Sequence, residues 1–114
     1  MNNVEIKTER HDNAVVVNLV GQALDASNVA RFRSETEGLF EEDKNFVVVL
    51  KELKFVDSSG IGALLSCLRR ANSAGGDVRL AELPANVRSL FEMVRMNRLF
   101  EIFDTQDEAL NSFA

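Results

Sequence analysis

The residues best suited to chemistry at a surface are Asp57, Ser58, Ser59, Gly60 and Gly62, which lie within one short stretch. Aspartate and serine cap helix N-termini, because their oxygens accept hydrogen bonds from N–H groups that the first turn leaves unpaired. Glycine in the first turn weakens a helix by about 1 kcal/mol per residue. Two glycines there suggest that a binding partner needs close access to the serine hydroxyls. A helix N-terminus also favours an added anion, and a phosphoserine would carry about −1.5 to −2 charges. The stretch therefore suits either a simple helix cap or a phosphate acceptor, and the coincidence of these residues favours the acceptor.

Two flanking segments must position this stretch. Upstream, residues 46–50 form a continuous apolar, β-branched run that predicts a strand buried on both faces. Downstream, apolar residues recur at spacings of three and four and predict a helix to about Ala74, with Gly75 and Gly76 as its C-cap. The residues of this stripe are Ile61, Leu64, Leu65, Leu68 and Ala71. Ser58 should then lie at the carboxyl edge of a parallel strand, where α/β sheets place their sites.

The N-terminal part of the chain predicts a hairpin and a helix. Residues 4–9 alternate weakly, residues 14–20 are a stronger strand candidate, and the polar residues between them suit a turn. A helix of period 3.6 is then predicted from Ser27, with Asp25 or Ser27 as its cap. Its apolar positions are Val29, Phe32, Leu39 and Phe40.

The C-terminal part predicts a further strand and two helices. Residues 78–81 form a short strand-like run, and a helix begins at Pro84. A short apolar run at 99–103 precedes Thr105 and Glu108, whose spacing is typical of a capping box. The alternation predicts an α/β fold with a mixed, mostly parallel sheet of about four strands and helices mainly on one side. One domain should span residues 1–114.

Composition limits the partners of this chain. The sequence has 114 residues, and its hydrophobic fraction of 46% favours a packed domain. Its net charge of −5 argues against a nucleic-acid partner. Neither a signal peptide nor an apolar run of about 20 residues is present, so we expect a cytosolic protein that does not insert into membranes. Cys67, the only cysteine, lies within a helical stripe and should be a small buried thiol.

Known catalytic motifs are missing from the sequence. There is no Gly-x-Ser-x-Gly, and the single histidine, His11, lies in a predicted turn, which argues against a serine hydrolase. Neither a phosphate-binding loop nor metal-ligand spacing of His and Cys is found. We therefore expect a binding module that has no catalytic residues, no cofactor and no metal.

The stretch Phe55-Val56-Asp57-Ser58-Ser59-Gly60-Ile61-Gly62 resembles the signature of anti-sigma-factor antagonists, which are bacterial members of the STAS superfamily. The similarity continues in a Gly-x-x-Leu-Asp segment at residues 21–25, in the helix end at 72–76 and in residues 87–103. The family commonly has Gly-x-Leu-Asp at the first of these places, so residues 21–25 contain one extra residue. This loop should flank Ser58.

The resemblance implies a reversible phosphoswitch. In similar antagonists the unphosphorylated form binds an anti-sigma factor and releases the sigma factor. That anti-sigma factor is also an ATP-dependent serine kinase of the histidine-kinase-like ATPase fold. The kinase phosphorylates the serine after the aspartate, here Ser58, and a metal-dependent serine phosphatase restores it.

The resemblance also suggests which residues contact the partner. The predicted partner-binding residues are Asp25, Asp57, Ser59, Gly60, Ile61 and Gly62, of which Ser59 is also expected to support the cap. Asp25 matches an aspartate near the kinase-facing surface, although it could equally be a helix cap. Two alternatives remain: a regulator whose target is not a sigma factor, or a non-phosphorylated scaffold subunit of a membrane-associated complex.

Overall fold

A five-stranded mixed sheet forms the centre of the computed structural model, which describes residues 4–114. The strands of the chain, in order, are β1 (Glu5–Arg10), β2 (Val15–Val20), β3 (Ala23–Leu24), β4 (Asn45–Val49), β5 (Phe55–Val56), β6 (Asp77–Ala81) and β7 (Ile102–Phe103). The main sheet has the order β1-β2-β4-β6-β7, in which only the β1–β2 pair is antiparallel. Strands β3 and β5 form a separate parallel pair.

The helices lie mainly on one side of this sheet. They are α1 (Val29–Glu37), α2 (Leu39–Glu42), α3 (Ser58–Ser73), α4 (Ala85–Met93) and α5 (Gln106–Asn111), with a 3₁₀ turn at Met96–Arg98. Side chains of α1, α3 and α4 share one core with the sheet, whereas α5 packs on the opposite face.

Side chains along the central strands point alternately to the two faces of the sheet, and each face has its own core. In β2, Val15 and Val17 point into the larger core, where they meet Phe32 of α1, and Val16 points to the smaller core beneath α5. Successive side chains of a strand point to opposite faces, so a strand covered on both sides must be apolar throughout. Each fully buried Val, Leu or Phe contributes about 1.5–3 kcal/mol to folding, and this burial fixes α3 on the sheet.

Several local predictions are confirmed. The first two strands form an antiparallel hairpin, and β2, β4 and β6 are parallel neighbours. Thr105 and Glu108 form a complete capping box at the start of α5. At the end of α3, Gly75 has φ +85°, and the N–H of Gly76 donates to the carbonyl of Ala71 at 2.8 Å. These are short-range geometries that the residue types dictate.

The predicted α/β fold with a mixed, mostly parallel sheet is confirmed, and the sheet has five strands, close to the expected four, because β7 pairs with β6. Other predictions need correction. The helix expected from Ser27 begins at Val29 and is divided at Gly38, and its N-cap residue is Asn28. Neither Asp25 nor Ser27 is the cap, because the carboxylate of Asp25 is hydrogen-bonded to Ser27 in the preceding loop. That one domain spans residues 1–114 stays a prediction, and its first three residues lie outside the described range.

Residues 4–114 contain neither a candidate membrane-spanning helix nor a candidate metal centre. No helix of that range is long and apolar enough to cross a membrane. Nor do three or more His, Cys, Asp or Glu side chains of that range gather where they could hold a metal ion. Cys67 is buried on α3, as predicted, and burial raises its pKa to about 11. The thiol is therefore protonated at neutral pH.

Candidate functional site

Asp57 caps the N-terminus of α3. Its backbone is extended, with φ −101° and ψ −174°, and its Oδ1 accepts a hydrogen bond from the N–H of Gly60 at 3.0 Å. The carbonyl of Asp57 accepts from the N–H of Ile61 at 3.0 Å, which is the first bond of the helical ladder. The sequence starts the helix here because the aspartate side chain satisfies an N–H group that the first turn leaves unpaired.

The second carboxylate oxygen of Asp57 holds a neighbouring loop. Oδ2 accepts a hydrogen bond from the N–H of Ala26 at 3.0 Å. The hydrogen bond from the Gly60 N–H lowers the pKa of Asp57 below its ordinary value of 3.8, the bond from Ala26 adds to this, and desolvation opposes it. Asp57 is thus an anion at neutral pH that joins the start of α3 to the loop before α1.

The two serines differ in exposure. Ser58, the first residue of α3, is exposed, whereas Ser59 is half-buried. A group added to the hydroxyl of Ser58 has room in solvent and lies at the positive end of a helix of 16 residues. The residue before Ser58 is Asp57, which carries a negative charge. The geometry therefore distinguishes Ser58 from Ser59 as the accessible hydroxyl.

The two glycines of the turn have different roles. A Cβ atom on Gly60 would lie 2.3 Å from the carbonyl oxygen of Leu24 and 2.9 Å from Cγ1 of Val56, so only glycine fits. A Cβ atom on Gly62 would have nothing within 4 Å. Gly60 thus lets the helix approach the β3–β5 pair, whereas Gly62 leaves a patch of the surface uncovered. Ile61, predicted as a partner-binding residue, is half-buried and packs against the main core.

The loop containing Asp25 lies beside this turn, as predicted. Ala23 and Leu24 of β3 pair with β5, the strand that leads into Asp57. Asp25 is half-buried, and its Oδ1 accepts hydrogen bonds from the N–H of Ser27 at 2.9 Å and from the Ser27 hydroxyl at 2.5 Å. The carboxylate therefore shapes its own loop, and its predicted role toward a kinase stays a prediction.

Sequence reasoning missed two residues of this region. Asn28 is only 5% exposed, and it donates from Nδ2 to the Ala23 carbonyl at 2.8 Å and accepts at Oδ1 from the Asp25 N–H at 3.0 Å. Phe55 is 56% exposed although it is aromatic. The signal for Asn28 was its residue type just before the helix, and the signal for Phe55 was its alternation with buried Val56.

Comparisons with known proteins identify one domain family. The STAS domain family matches residues 5–109 of this chain. An anti-sigma F factor antagonist of Paenibacillus polymyxa is 29% identical over 110 residues, which cover 95% of this chain and 93% of the relative. The structure of the anti-sigma factor antagonist SpoIIAA in its unphosphorylated form has a TM-score of 0.77 and 23% identity, covering 95% of each chain. The structure of the Bacillus protein SpoIIAA in its phosphorylated form has a TM-score of 0.72 and 22% identity. The match covers 96% of this chain and 100% of SpoIIAA.

Proposed function

This chain belongs to the STAS domain family, and from that premise we propose that it is an anti-sigma-factor antagonist switched by phosphorylation of Ser58. Its sequence similarity to an anti-sigma F factor antagonist over nearly the whole of both chains supports the class of function. The observation that carries the switch is the exposed hydroxyl of Ser58 at the start of α3, beside the Asp57 carboxylate.

Unphosphorylated Ser58 leaves a surface on which a protein partner can dock. The hydroxyl is small, Gly62 has no side chain, and exposed Phe55 lies just before Asp57. Exposed aromatic residues are typical anchors of protein interfaces. We expect the anti-sigma factor to cover this surface, with Asp57, Gly60 and Gly62 fixing the shape of the turn.

Phosphorylation changes the same surface. The kinase transfers the γ-phosphoryl group of ATP to the Ser58 oxygen, the serine proton leaves, and ADP departs; hydrolysis of the ester by the phosphatase reverses the change. The phosphate brings about −1.5 to −2 charges next to the Asp57 carboxylate. Burying it in the interface without a matching cation costs on the order of 3 kcal/mol, which weakens binding about 100-fold.

The phosphate should not unfold the free protein. The N-terminus of α3 carries about half a positive charge, which favours an anion there. The side chain of Ser58 is exposed, so the added group displaces no core side chain. The switch is thus a change in one surface of a rigid domain.

The proposal assigns the chemistry to the partners. The kinase is the anti-sigma factor itself, of the histidine-kinase-like ATPase fold, and a metal-dependent serine phosphatase reverses the reaction. The antagonist acts in the cytoplasm, contributes a substrate serine and binds neither cofactor nor nucleic acid.

The test is phosphorylation of the purified chain by the ATPase-fold kinase encoded nearest to its gene. Intact mass should increase by one phosphate, and peptide mapping should place it on Ser58. Ser58→Ala should abolish the gain, whereas the matched Ser59→Ala variant should retain it. A stable complex without phosphate transfer, using a kinase that is active on another substrate, would contradict the switch and favour the scaffold alternative.

A further inference from the structure

A groove lies between α1 and α3, on the helical side of the sheet and away from Ser58. Its volume is about 400 Å³, which is within the range of small-molecule sites. The side chains that matter to its chemistry come from both helices and from the start of α2. They are Arg33, Thr36, Phe40, Ala63, Ser66, Cys67 and Arg70.

Two arginines at the mouth of the groove have no carboxylate partner among the residues that the structure describes. Arg33 donates from Nη1 to the hydroxyl of Ser66 at 3.2 Å. The guanidinium of Arg70 lies 4.7 Å from the centroid of the Phe40 ring, and its Nη2 donates to the backbone carbonyl of Glu37 at 3.4 Å. Neither arginine forms an ion pair within residues 4–114, although the Glu37 carboxylate also borders the groove.

Four of the other seven arginines of the chain are ion-paired, whereas Arg69, Arg95 and Arg98 form no ion pair among residues 4–114. Arg10, Arg31, Arg79 and Arg88 each form an ion pair with an acidic side chain between 2.6 and 3.3 Å. In a chain with a net charge of −5, acidic partners are plentiful. The two guanidinium groups at the groove are held instead by a hydroxyl, an aromatic ring and a carbonyl. Most of their N–H donors thus remain available to a planar or tetrahedral anion.

The floor of the groove is apolar. Ala63 is buried, Phe40 is half-buried, and Cys67 is only 8% exposed. Burial raises the pKa of the Cys67 thiol, and a hydrogen bond with Thr36 and the positive charges of Arg70 and Arg33 oppose this shift.

A small void of about 10 Å³ lies directly beneath the floor. Thr36, Phe40 and Cys67 border both the groove and the void. Apart from Thr36 and Cys67, the void is lined by aliphatic and aromatic core side chains. A gap of this kind leaves its lining without dispersion partners, which favours the entry of an apolar group.

We propose that this groove binds an amphiphilic organic anion. Arg33 and Arg70 hold its carboxylate or phosphate group, and its apolar part lies over Phe40, Ala63 and Cys67. Charge-assisted bonds to two arginine forks fix the head, and burial of the apolar part adds affinity that inorganic anions lack.

The site is separate from the proposed phosphorylation site but uses the same helix. Ser66 lies two turns along α3 from Ser58, about 12 Å at the helical rise. Its test needs neither the kinase nor a phosphate on Ser58, so its outcome is independent of the outcome for the switch.

The experiment is a titration of the full chain followed by amide chemical shifts. Decanoate and decyl phosphate, below their aggregation concentrations, are the probes for the two head groups. Decanol and inorganic phosphate are the controls for the apolar part and the head alone. We expect at least one amphiphilic probe to saturate and to shift the amides of Thr36, Ser66 and Cys67, with both controls at least about tenfold weaker.

Charge-matched variants complete the test. The double variant Arg33→Gln, Arg70→Gln should bind the same probe about 100-fold more weakly, about tenfold for each arginine. The control variant Arg31→Gln, Arg98→Gln removes the same charge from exposed residues outside the groove and should bind like the wild type. Equal binding of decanol and decanoate, equal loss in both double variants, or no saturation by either amphiphile would each overturn the proposal.

Discussion

Oδ2 of Asp57 lies 3.0 Å from the backbone nitrogen of Ala26, so one carboxylate holds together the first turn of α3 and the loop before α1. The two segments are far apart in sequence, and Ser58 is the first residue of the helix that the carboxylate caps. The contact explains why an aspartate, rather than a serine or threonine cap, suits this position. A hydroxyl has one oxygen, whereas the carboxylate offers one acceptor to each segment.

Replacing Asp57 should make stability less dependent on pH. The pKa of Asp57 is lowered in the folded chain, so its contribution is complete above the ordinary value of 3.8 and is lost as pH falls through the folded pKa. Asp57→Asn should therefore lower the thermal midpoint at neutral pH, and the difference from the wild type should shrink in acid. Thermal unfolding across a pH series measures this, with Asp12→Asn in the exposed hairpin turn as the matched control. A constant difference at every pH would be inconsistent with an ionised cap.

The two glycines offer a direct comparison. Gly60→Ala would place a Cβ atom 2.3 Å from the Leu24 carbonyl oxygen, and we expect a loss of about 1–3 kcal/mol in the free energy of unfolding. Gly62→Ala meets nothing within 4 Å and should stabilise the helix by about 1 kcal/mol. Urea denaturation of both variants gives the two values, and similar values for the two would be contrary to the close approach at Gly60. If Gly62 also lies in the interface, its alanine variant should bind the anti-sigma factor more weakly while unfolding less readily.

Asn28 should matter far more to stability than its place in a loop suggests. Asn28→Ala leaves the Ala23 carbonyl and the Asp25 N–H without their side-chain partner in a buried setting, which costs about 1–3 kcal/mol. Asn86→Ala is the control, because Asn86 also donates to a backbone carbonyl, that of Lys54, but is exposed. Its substitution should cost less than about 0.5 kcal/mol. Chemical denaturation of both variants measures the loss in the free energy of unfolding. Equal losses in the two variants would refute the structural role of Asn28.

Cys67 should react slowly with alkylating agents. Burial raises its pKa to about 11, and only the thiolate is nucleophilic. The rate of iodoacetamide labelling of the folded chain should thus rise about tenfold per pH unit, without reaching a plateau near the ordinary thiol value of 9.0. The urea-unfolded chain, as control, should level off near that value. A plateau at or below 9.0 in the folded chain would show that the thiol is not buried.

Much of the fold could be predicted because local residue types dictate it. The cap at Asp57, the glycine end of α3 and the capping box of Thr105 each depend on neighbours within one turn. The alternating and continuous apolar runs likewise fix which strands are buried on one face or on two. These signals survive in the sequence because they need no information from distant segments.

The features that sequence reasoning missed depend on distant contacts. The N-cap residue of α1 is Asn28, and not Asp25 or Ser27, because the loop before α1 is held by the pairing of β3 with β5. Strands of two residues carry no periodic signal, so this pairing could not be predicted. The convergence of Arg33 with Arg70 arises only when α1 and α3 are packed together. The helix start that carries the proposed site and the loop that flanks it could thus be predicted, whereas the side-chain contacts around them could not.

The most direct test of the switch is the affinity of two forms of this chain for the anti-sigma factor. The chain carrying phosphoserine at Ser58 and the unmodified chain should be compared by calorimetry, with phosphoserine at the exposed Ser89 as the charge-matched control. We predict that phosphorylation of Ser58 weakens binding about 100-fold, whereas the control binds like the unmodified chain. Equal affinity of the two forms would contradict the proposed function.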